Sequence, residues 1–442
     1  MPNCLREYRR TEYLLLVLVL MLKAYLLLSQ WGIPQGFDID HFLTVLDYIR
    51  MSPTYPGIRD CYNCYHPPFG FLAATLLSRL TGNGITAAEL LSALSMIGIF
   101  FSLRLILKHT GLLHTLFGVL FLYFTAGLPL FVFLSWEVSF ETVSFLWTVL
   151  TLLISVELLW GTPVPYRRGV ILTLALTGVL ALGMYTKFPG ILNFCIPFVV
   201  LCVRAQSRSA FRTLPLLLLS CVLAALIASP LYYHRYYQTE GKIFPVNMEW
   251  TGGQREMEHM FKRREIRDRN PLVFFLDIVR IPRLSPGSIE PDNSSFWNIM
   301  WYHTWKRPFR LRDNRNLSPP ILSDIYIYLF LLPVLLGTVL FLKDFQKQRT
   351  ALHDFGMILL IVGLLFCTAQ LRIAFLFPAW AWAVMKAKYI APAILWIPFA
   401  VAYSAHLLST RWQHKAYHKQ YVLVCMACLT AFLLLNHTIP IY

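Results

Sequence analysis

Apolar runs of membrane-crossing length recur from one end of this chain to the other, and no other feature narrows its fold so far. A bilayer core about 30 Å thick takes roughly 17–25 apolar residues per helix. Runs approaching or reaching that length lie at 13–30, 85–107, 112–130, 138–160, 169–185, 190–203, 213–230, 322–342, 352–370, 387–408 and 420–435. Inside lipid only helices and closed barrels satisfy every backbone group, and runs this long are helical. The chain is therefore expected to be an all-α polytopic membrane protein of about 11 transmembrane helices. Charged residues make up 14% of the 442, well under the about 25% of a soluble domain. No small-residue cleavage site follows the first run, so it reads as an uncleaved span rather than a signal peptide.

The formal net charge of +16 would suggest nucleic acid in a soluble protein, but in a membrane protein position outweighs the sum. Six short basic clusters flank the spans: Arg6/Arg9/Arg10, Arg104/Lys108, Arg167/Arg168, Arg204/Arg208/Arg212, Lys343/Lys347/Arg349 and Arg411/Lys415/Lys419. Placing all six on the cytoplasmic side satisfies the positive-inside rule. The outer face, lumenal or periplasmic, then gathers a first loop (31–84), two short turns (near 135–141 and 185–190) and a long loop (231–320). Three regions follow: an N-terminal module (1–230) containing the first loop, the long loop (231–320), and the C-terminal helices (321–442). Residues 67–81 are apolar but short and begin Pro-Pro. They read as an interfacial or re-entrant helix, because a crossing there would flip every later basic cluster. The long loop holds 15 Lys/Arg between Arg235 and Arg315; long loops translocate largely regardless of charge.

The first loop carries the densest chemistry. Acids beside a membrane span are costly unless they face water or a partner. Asp38 and Asp40 read as solvated acids or helix N-caps on one side, and as a general base for a hydroxyl acceptor on the other. His66-Pro67-Pro68 is either a structural corner or a substrate contact. Cys61-x-x-Cys64 is either a small disulfide on an oxidising face or without a role. Glu137 and Glu141 stand four apart and are expected on one helix face at the start of a span. They complement the helix dipole there or turn an acid toward the outer cavity. Lys187 either snorkels or meets a phosphate. Arg372, Lys386 and Lys388, with Tyr389, are cations and an aromatic at the outer end of a late span. Cations in a short outer loop run against the charge rule and favour an anionic head group. Lys187, Arg372 and Lys388 are expected to converge on one anion site.

In the long loop, basic residues run with Trp297, Trp301 and Trp305 at a spacing of four. An interfacial helix with aromatics at head-group level suits that pattern better than nucleic acid on an outer face. No Walker, Rossmann or nucleophile-elbow pattern occurs, which sets aside nucleotide-driven and hydrolase classes. The remaining Cys lie in apolar stretches as small hydrophobes, without zinc spacing.

In their order, these elements resemble the GT-C superfamily of polytopic glycosyltransferases, nearest to glycosyltransferase family 39 and the protein-mannosyltransferase-like group that includes aminoarabinose transferases. The residues that carry the resemblance are Gly36-Phe37-Asp38, Tyr65-His66-Pro67-Pro68-Phe69, Ser139-Phe140-Glu141, Thr186-Lys187-Phe188-Pro189-Gly190 and Lys388-Tyr389-Ile390-Ala391-Pro392. Three positions depart from the pattern: Asp38-Ile39-Asp40 replaces an adjacent acid pair, Phe140 replaces an Asn, and Lys388 replaces an Arg.

The resemblance implies a GT-C-type bundle with amphipathic helices in the first outer loop. It implies transfer of a sugar, with inversion, from a polyprenyl-phosphate donor (dolichyl or undecaprenyl type) to a lipid, glycan or protein acceptor at the outer face. Asp38 would be the base, with Asp40 and Glu141 as further acids. His66, Lys187, Arg372, Lys386, Lys388 and Tyr389 would hold substrate and phosphate. No cofactor is certain; the acids could hold a divalent cation beside a phosphate. Partners are the donor, the acceptor and membrane lipids, with no nucleic acid and the need for a partner subunit open. Sequons at Asn293, Asn316 and Asn436 lean toward an endoplasmic-reticulum membrane, with a bacterial plasma membrane open. The competing classes are a flippase for lipid-linked substrates, which would show internal repeats, and a non-catalytic subunit of a glycosylation complex.

Overall fold

The computed structural model describes scattered positions between 13 and 28, residues 39–243 except 53, 62, 161–163 and 205–210, a few positions between 283 and 304, and residues 320–376 and 387–411. The first-loop segment is α1 (Ile39–Met51) and α2 (Phe69–Thr81), followed by α3 (Gly84–His109). Next come α4 (Leu116–Gly127), α5 (Pro129–Phe133), α6 (Glu141–Leu159) and α7 (Tyr166–Thr186). A 3-10 stretch (Phe188–Cys195) leads into α8 (Ile196–Arg204). Then follow α9 (Leu214–Pro230), a π-helical turn (Leu231–Tyr237) and α10 (Gln238–Glu240). The C-terminal set is α11 (Pro320–Phe345), α12 (Ala351–Leu376), a 3-10 turn (Ala387–Ile390), α13 (Ala391–Ile394) and α14 (Trp396–Arg411). The strands among the described residues are two residues each, Arg283–Leu284 against Pro291–Asp292, antiparallel.

Among the described residues, six helices are long and apolar enough to cross a membrane: 84–109, 141–159, 166–186, 214–240, 351–373 and 387–410. The chain is an integral membrane protein. α9 shows why lipid is its solvent. It buries only a narrow stripe of Leu217, Ser220, Ala224 and Ala228 against α7, while Leu218, Leu219, Val222, Leu226 and Ile227 stay exposed. An all-round apolar helix of that kind belongs in hydrocarbon. The described positions between 13 and 28 are helical, and the expected span at 420–435 lies outside the described residues.

α2 has 13 residues, about 20 Å at 1.5 Å per residue, which is short of a bilayer core. It folds back on α3 through Gly82, held in the left-handed region at φ 72°. Asn83 then caps α3, its Oδ1 accepting from the Ile85 N–H at 2.8 Å.

Two expected features differ in the structure. The run at 112–130 is broken into α4 and α5, because Pro129 at the first position of α5 cannot continue the ladder from α4. The turn after it, expected at the surface, is enclosed. Every residue from 116 to 143 is buried, since the turn is itself Phe-, Leu- and Trp-rich and α2 packs over it. Gly70 makes that packing close: a Cβ there would strike the Phe140 ring. Phe140 also meets Phe42 and Phe71 at 4.6 Å each between ring centroids.

The span expected to end at 230 continues to Glu240. Pro230 removes a backbone donor, and the π-helical turn that follows absorbs the mismatch. Of the three Trp expected on one face of the long loop, Trp297 is described. It lies in helical structure and packs against the main core with Met300, which is buried; Trp301 and Trp305 lie outside the described residues.

Candidate functional site: a buried cluster of two lysines and two glutamates

α6 and α7 run antiparallel, and the charges at one end of this pair form the centre of the site. Glu141 opens α6, and Lys187 is the residue that closes α7. Lys187 is held there because the chain reverses sharply behind it. Its carbonyl accepts from the Gly190 N–H at 2.9 Å, and its own N–H donates to the Gly183 carbonyl. Gly190 is needed for the reversal, since a Cβ there would collide with the Gly183 carbonyl. Thr186 fixes the helix end, accepting from Trp147 Nε1 at 2.8 Å and donating to the Leu182 carbonyl at 2.7 Å.

Lys187 Nζ donates to Glu141 Oε1 at 2.6 Å. Lys388, in the 3-10 turn before α13, donates to Glu137 Oε1 and lies 3.8 Å from Glu141 Oε1. The two ammonium groups thus face one carboxylate oxygen, with Lys187 at hydrogen-bond distance from it and Lys388 farther off. The Tyr389 ring backs both, with its centroid 5.4 Å from Lys187 Nζ and 5.7 Å from Lys388 Nζ. Such placement over a ring face favours a cation. Burial is graded: the side chains of Glu137 and Lys388 are 0% and 5% exposed, those of Glu141 and Lys187 7% and 14%.

Glu137 and Glu141 do not share a helix face as the spacing suggests. Glu137 lies in the turn before α6, where the Ser139 N–H reaches back to its carbonyl. That carbonyl also accepts from Ser92 Oγ at 2.7 Å.

His66 stands beside the cluster, its ring 4.0 Å from that of Tyr65. Its Nδ1 is buried and has no hydrogen-bond partner among the described residues. Burial pushes its pKa down to about 3, Lys187 and Lys388 repel the proton further, and Glu141 offsets part of this. The imidazole is therefore neutral at physiological pH.

The loop that delivers His66 is fastened at several points. Cys61 and Cys64 form a disulfide. Arg235, in the π-helical turn, donates through Nη2 to the carbonyls of Pro56 at 2.9 Å and Cys64 at 2.7 Å, and lies 4.4 Å from the Tyr55 ring centroid. Arg59 adds a forked pair with Glu240 at 2.7 and 2.8 Å. Ile58 is buried against Tyr232 and Tyr236.

The structure thus brings together Glu141, His66, Lys187, Lys388 and Tyr389. Asp40 is exposed in the first turn of α1, where its carbonyl accepts from Thr44 Oγ1 at 2.8 Å. Arg372 is exposed near the end of α12 and makes no ion pair with Glu137 or Glu141. Asp38 and Lys386 lie outside the described residues. Among the described residues, no three His, Cys, Asp or Glu side chains gather as a metal site.

Sequence reasoning missed Arg235 and the Arg59–Glu240 pair. A signal was available: Tyr232 and Tyr236, four apart directly after Pro230, have the spacing of a continuing helix.

No family model matches the sequence, and no curated protein matches it. The solved structures similar to this chain include two of one protein. Both are ArnT from Cupriavidus metallidurans, one in the apo state and one bound to undecaprenyl phosphate. Each is 16% identical with a TM-score of 0.43, over 88% of this chain and 76% or 77% of ArnT.

Proposed function

We propose that this chain is a membrane glycosyltransferase. Its donor is a sugar on a polyprenyl-phosphate carrier of dolichyl or undecaprenyl type, and its acceptor is a hydroxyl or amine of a lipid, glycan or protein. The reaction takes place at the membrane face opposite the basic helix ends. One observation carries the reading: Lys187 and Lys388, from distant turns, converge on a single carboxylate oxygen beside His66, whose buried Nδ1 has no hydrogen-bond partner among the described residues. Undecaprenyl phosphate, the ligand named for one ArnT structure, is one carrier of the proposed class; the proposal itself rests on the lysine pair.

The chemistry is a single displacement with inversion. As the acceptor oxygen or nitrogen bonds to the anomeric carbon, the bond from that carbon to the phosphate oxygen breaks. The electron pair stays on the phosphate, which changes from a singly charged diester to a monoester of higher charge. An ammonium group aimed at that oxygen stabilises the charge as it develops. Lys187 is the nearer to solvent and has three N–H donors, one of them engaged by Glu141. In this reading the acceptor proton passes to Asp38, with Asp40 as the second choice. Asp38→Asn then lowers turnover by about 10²–10⁴ while carrier binding persists.

The test is transfer of label from a panel of polyprenyl-phosphate sugars by the purified protein. Turnover is expected to fall about 10²–10³-fold in Lys187→Ala, the usual cost of one charge-stabilising donor. Absence of transfer and of carrier binding across the panel overturns the reading.

A second reading has its own observation. Each lysine already has a carboxylate partner, and the four formal charges cancel. A cluster complete without a ligand suits a non-catalytic subunit that keeps it as a structural core. Retained binding of a polyprenyl phosphate by wild-type protein, lost in Lys187→Ala, decides for the enzyme.

A further inference from the structure

The two ion pairs of the cluster are not equivalent. Lys388 has a carboxylate of its own in Glu137, which is wholly enclosed. The ion-pair partner of Lys187 is Glu141. Glu141 Oε1 lies at hydrogen-bond distance from Lys187 but only 3.8 Å from Lys388. That is about 1 Å beyond a charge-assisted hydrogen bond. A rotation of the Glu141 side chain would bring it onto Lys388 and leave neither carboxylate without a cation. The Lys187–Glu141 pair is also the more exposed of the two. The carboxylate therefore sits where an entering anion would first meet a lysine.

We propose that Glu141 is an internal stand-in for the ligand's phosphate. It pairs with Lys187 while the site is free and passes to Lys388 when a phosphate group takes Lys187. This rests on the function proposed above and gives Glu141 a positioning role rather than that of a base. Three features of the cluster make the exchange inexpensive. The charge count of the four residues is unchanged by it, Glu137 stays on Lys388 throughout, and the Tyr389 ring backs both ammonium groups before and after.

A merely structural role for Glu141 predicts the opposite result, because here removing its charge should improve binding. Affinity for undecaprenyl phosphate in detergent micelles would be measured for wild type, Glu141→Gln, Glu137→Gln and Glu141→Gln/Lys187→Gln, with inorganic phosphate as a second probe. Glu141→Gln is expected to tighten binding by about 10-fold or more, since a competing carboxylate is gone from a low-dielectric site. Adding Lys187→Gln should erase that gain, and Glu137→Gln should not produce it. Turnover in Glu141→Gln should show a lower KM with kcat reduced by slow release of the carrier.

Tightening toward both probes supports the proposal with the phosphate group alone as ligand. Tightening toward the lipid alone supports it with a lipid monoester as the source. Unchanged or weaker binding of both probes by Glu141→Gln overturns it while wild-type binding leaves the functional reading standing. Failure of wild type and every variant to bind either probe overturns both. Should Glu141→Gln be unstable, Glu141→Asp is one methylene shorter and cannot bridge the two lysines. It should tighten binding by a smaller factor, and a loss of affinity there overturns the proposal equally.

Discussion

The antiparallel pair of helices 141–159 and 166–186 carries an ion pair at each end, and the two differ in every respect but distance. At one end Glu141 meets Lys187 at 2.6 Å; at the other Glu157 meets Arg168 at 2.5 Å. Helix dipoles favour the first pair residue by residue, with an acid at an N-terminus and a cation at a C-terminus. They oppose the second, where Glu157 lies in the last turn of its helix and Arg168 in the first turn of the next. There the pair offsets a mismatch that each residue creates alone. Exposure separates them further: 7% and 14% for Glu141 and Lys187, against 19% and 58% for Glu157 and Arg168. Arg204 and Arg349 on Asp354, at 2.9 and 2.7 Å, are other part-exposed pairs of basic-cluster residues. Bond length therefore says little about what a pair does; desolvation decides it. An exposed pair contributes about 0–1 kcal/mol, whereas removing one partner of an enclosed pair costs about 3–5 kcal/mol by stranding the other charge.

The sharpest way to break this contrast is Lys388→Met. It strands Glu137, which is fully enclosed, and should lower unfolding stability by about 3–5 kcal/mol in a detergent melt. Adding Glu137→Met should recover most of that loss, because an apolar pair of similar volume can be as stable as a buried ion pair. A single-variant loss under about 1 kcal/mol would place Lys388 with the surface pairs and remove the distinction.

Gly190→Ala comes next. Its Cβ would collide with the Gly183 carbonyl, so the reversal that holds Lys187 must shift. A loss of about 1–3 kcal/mol is expected, the usual cost of overpacking. Activity should fall further than stability explains. Unchanged turnover would show that the reversal does not position Lys187.

Much of this site is legible in the amino-acid sequence. Lys187, Lys388 and Glu141 each lie at a helix end, where dipole, charge rule and local turn residues leave a strong mark. Glu137 is legible as an acid but not as a turn residue, because a spacing of four looks helical whether or not the chain is a helix there. Lys388 looks like an unmet cation, and its partner sits far away in sequence, where no local pattern reaches. The enclosure of residues 134–140 follows from α2 folding over them, a long-range packing event. The continuation past Pro230 is hidden by the usual rule that proline ends a helix; a π-helical turn overrides it. The fold class is legible for a simpler reason. Apolar runs of bilayer length have one soluble alternative, a buried core helix, and too many recur here for that.

The pH response sharpens the contrast from another side. His66 titrates at about 3 in the folded chain and at its ordinary value of about 6.5 when unfolded. Between those values the unfolded chain binds the additional proton, so stability is full above about pH 6.5 and declines as pH falls, with a slope of up to 1.4 kcal/mol per unit. His66→Gln should flatten the decline in melts between pH 6.5 and 4.5. It should leave the limbs of the pH–rate profile between pH 5 and 8 unmoved, because a group that titrates near 3 does not change its protonation state in that window. A pH–rate limb near 6.5 that vanishes in His66→Gln would contradict the buried, neutral assignment.

The smallest effect expected is at the opposite helix ends. Arg168→Ala removes the partner of Glu157 where both retain contact with water, and should cost no more than about 1 kcal/mol. Its dependence on salt is the informative quantity. At a Debye length near 3 Å in 1 M salt, against about 8 Å at physiological strength, an exposed pair loses much of its attraction. The difference between wild type and Arg168→Ala should therefore shrink toward zero in 1 M salt. The Lys388→Met loss should persist, because little water or salt reaches an enclosed pair. A loss at Arg168 that resists salt would mean that this end is as closed to water as the cluster at Lys187, and the contrast between the two ends would lose its physical basis.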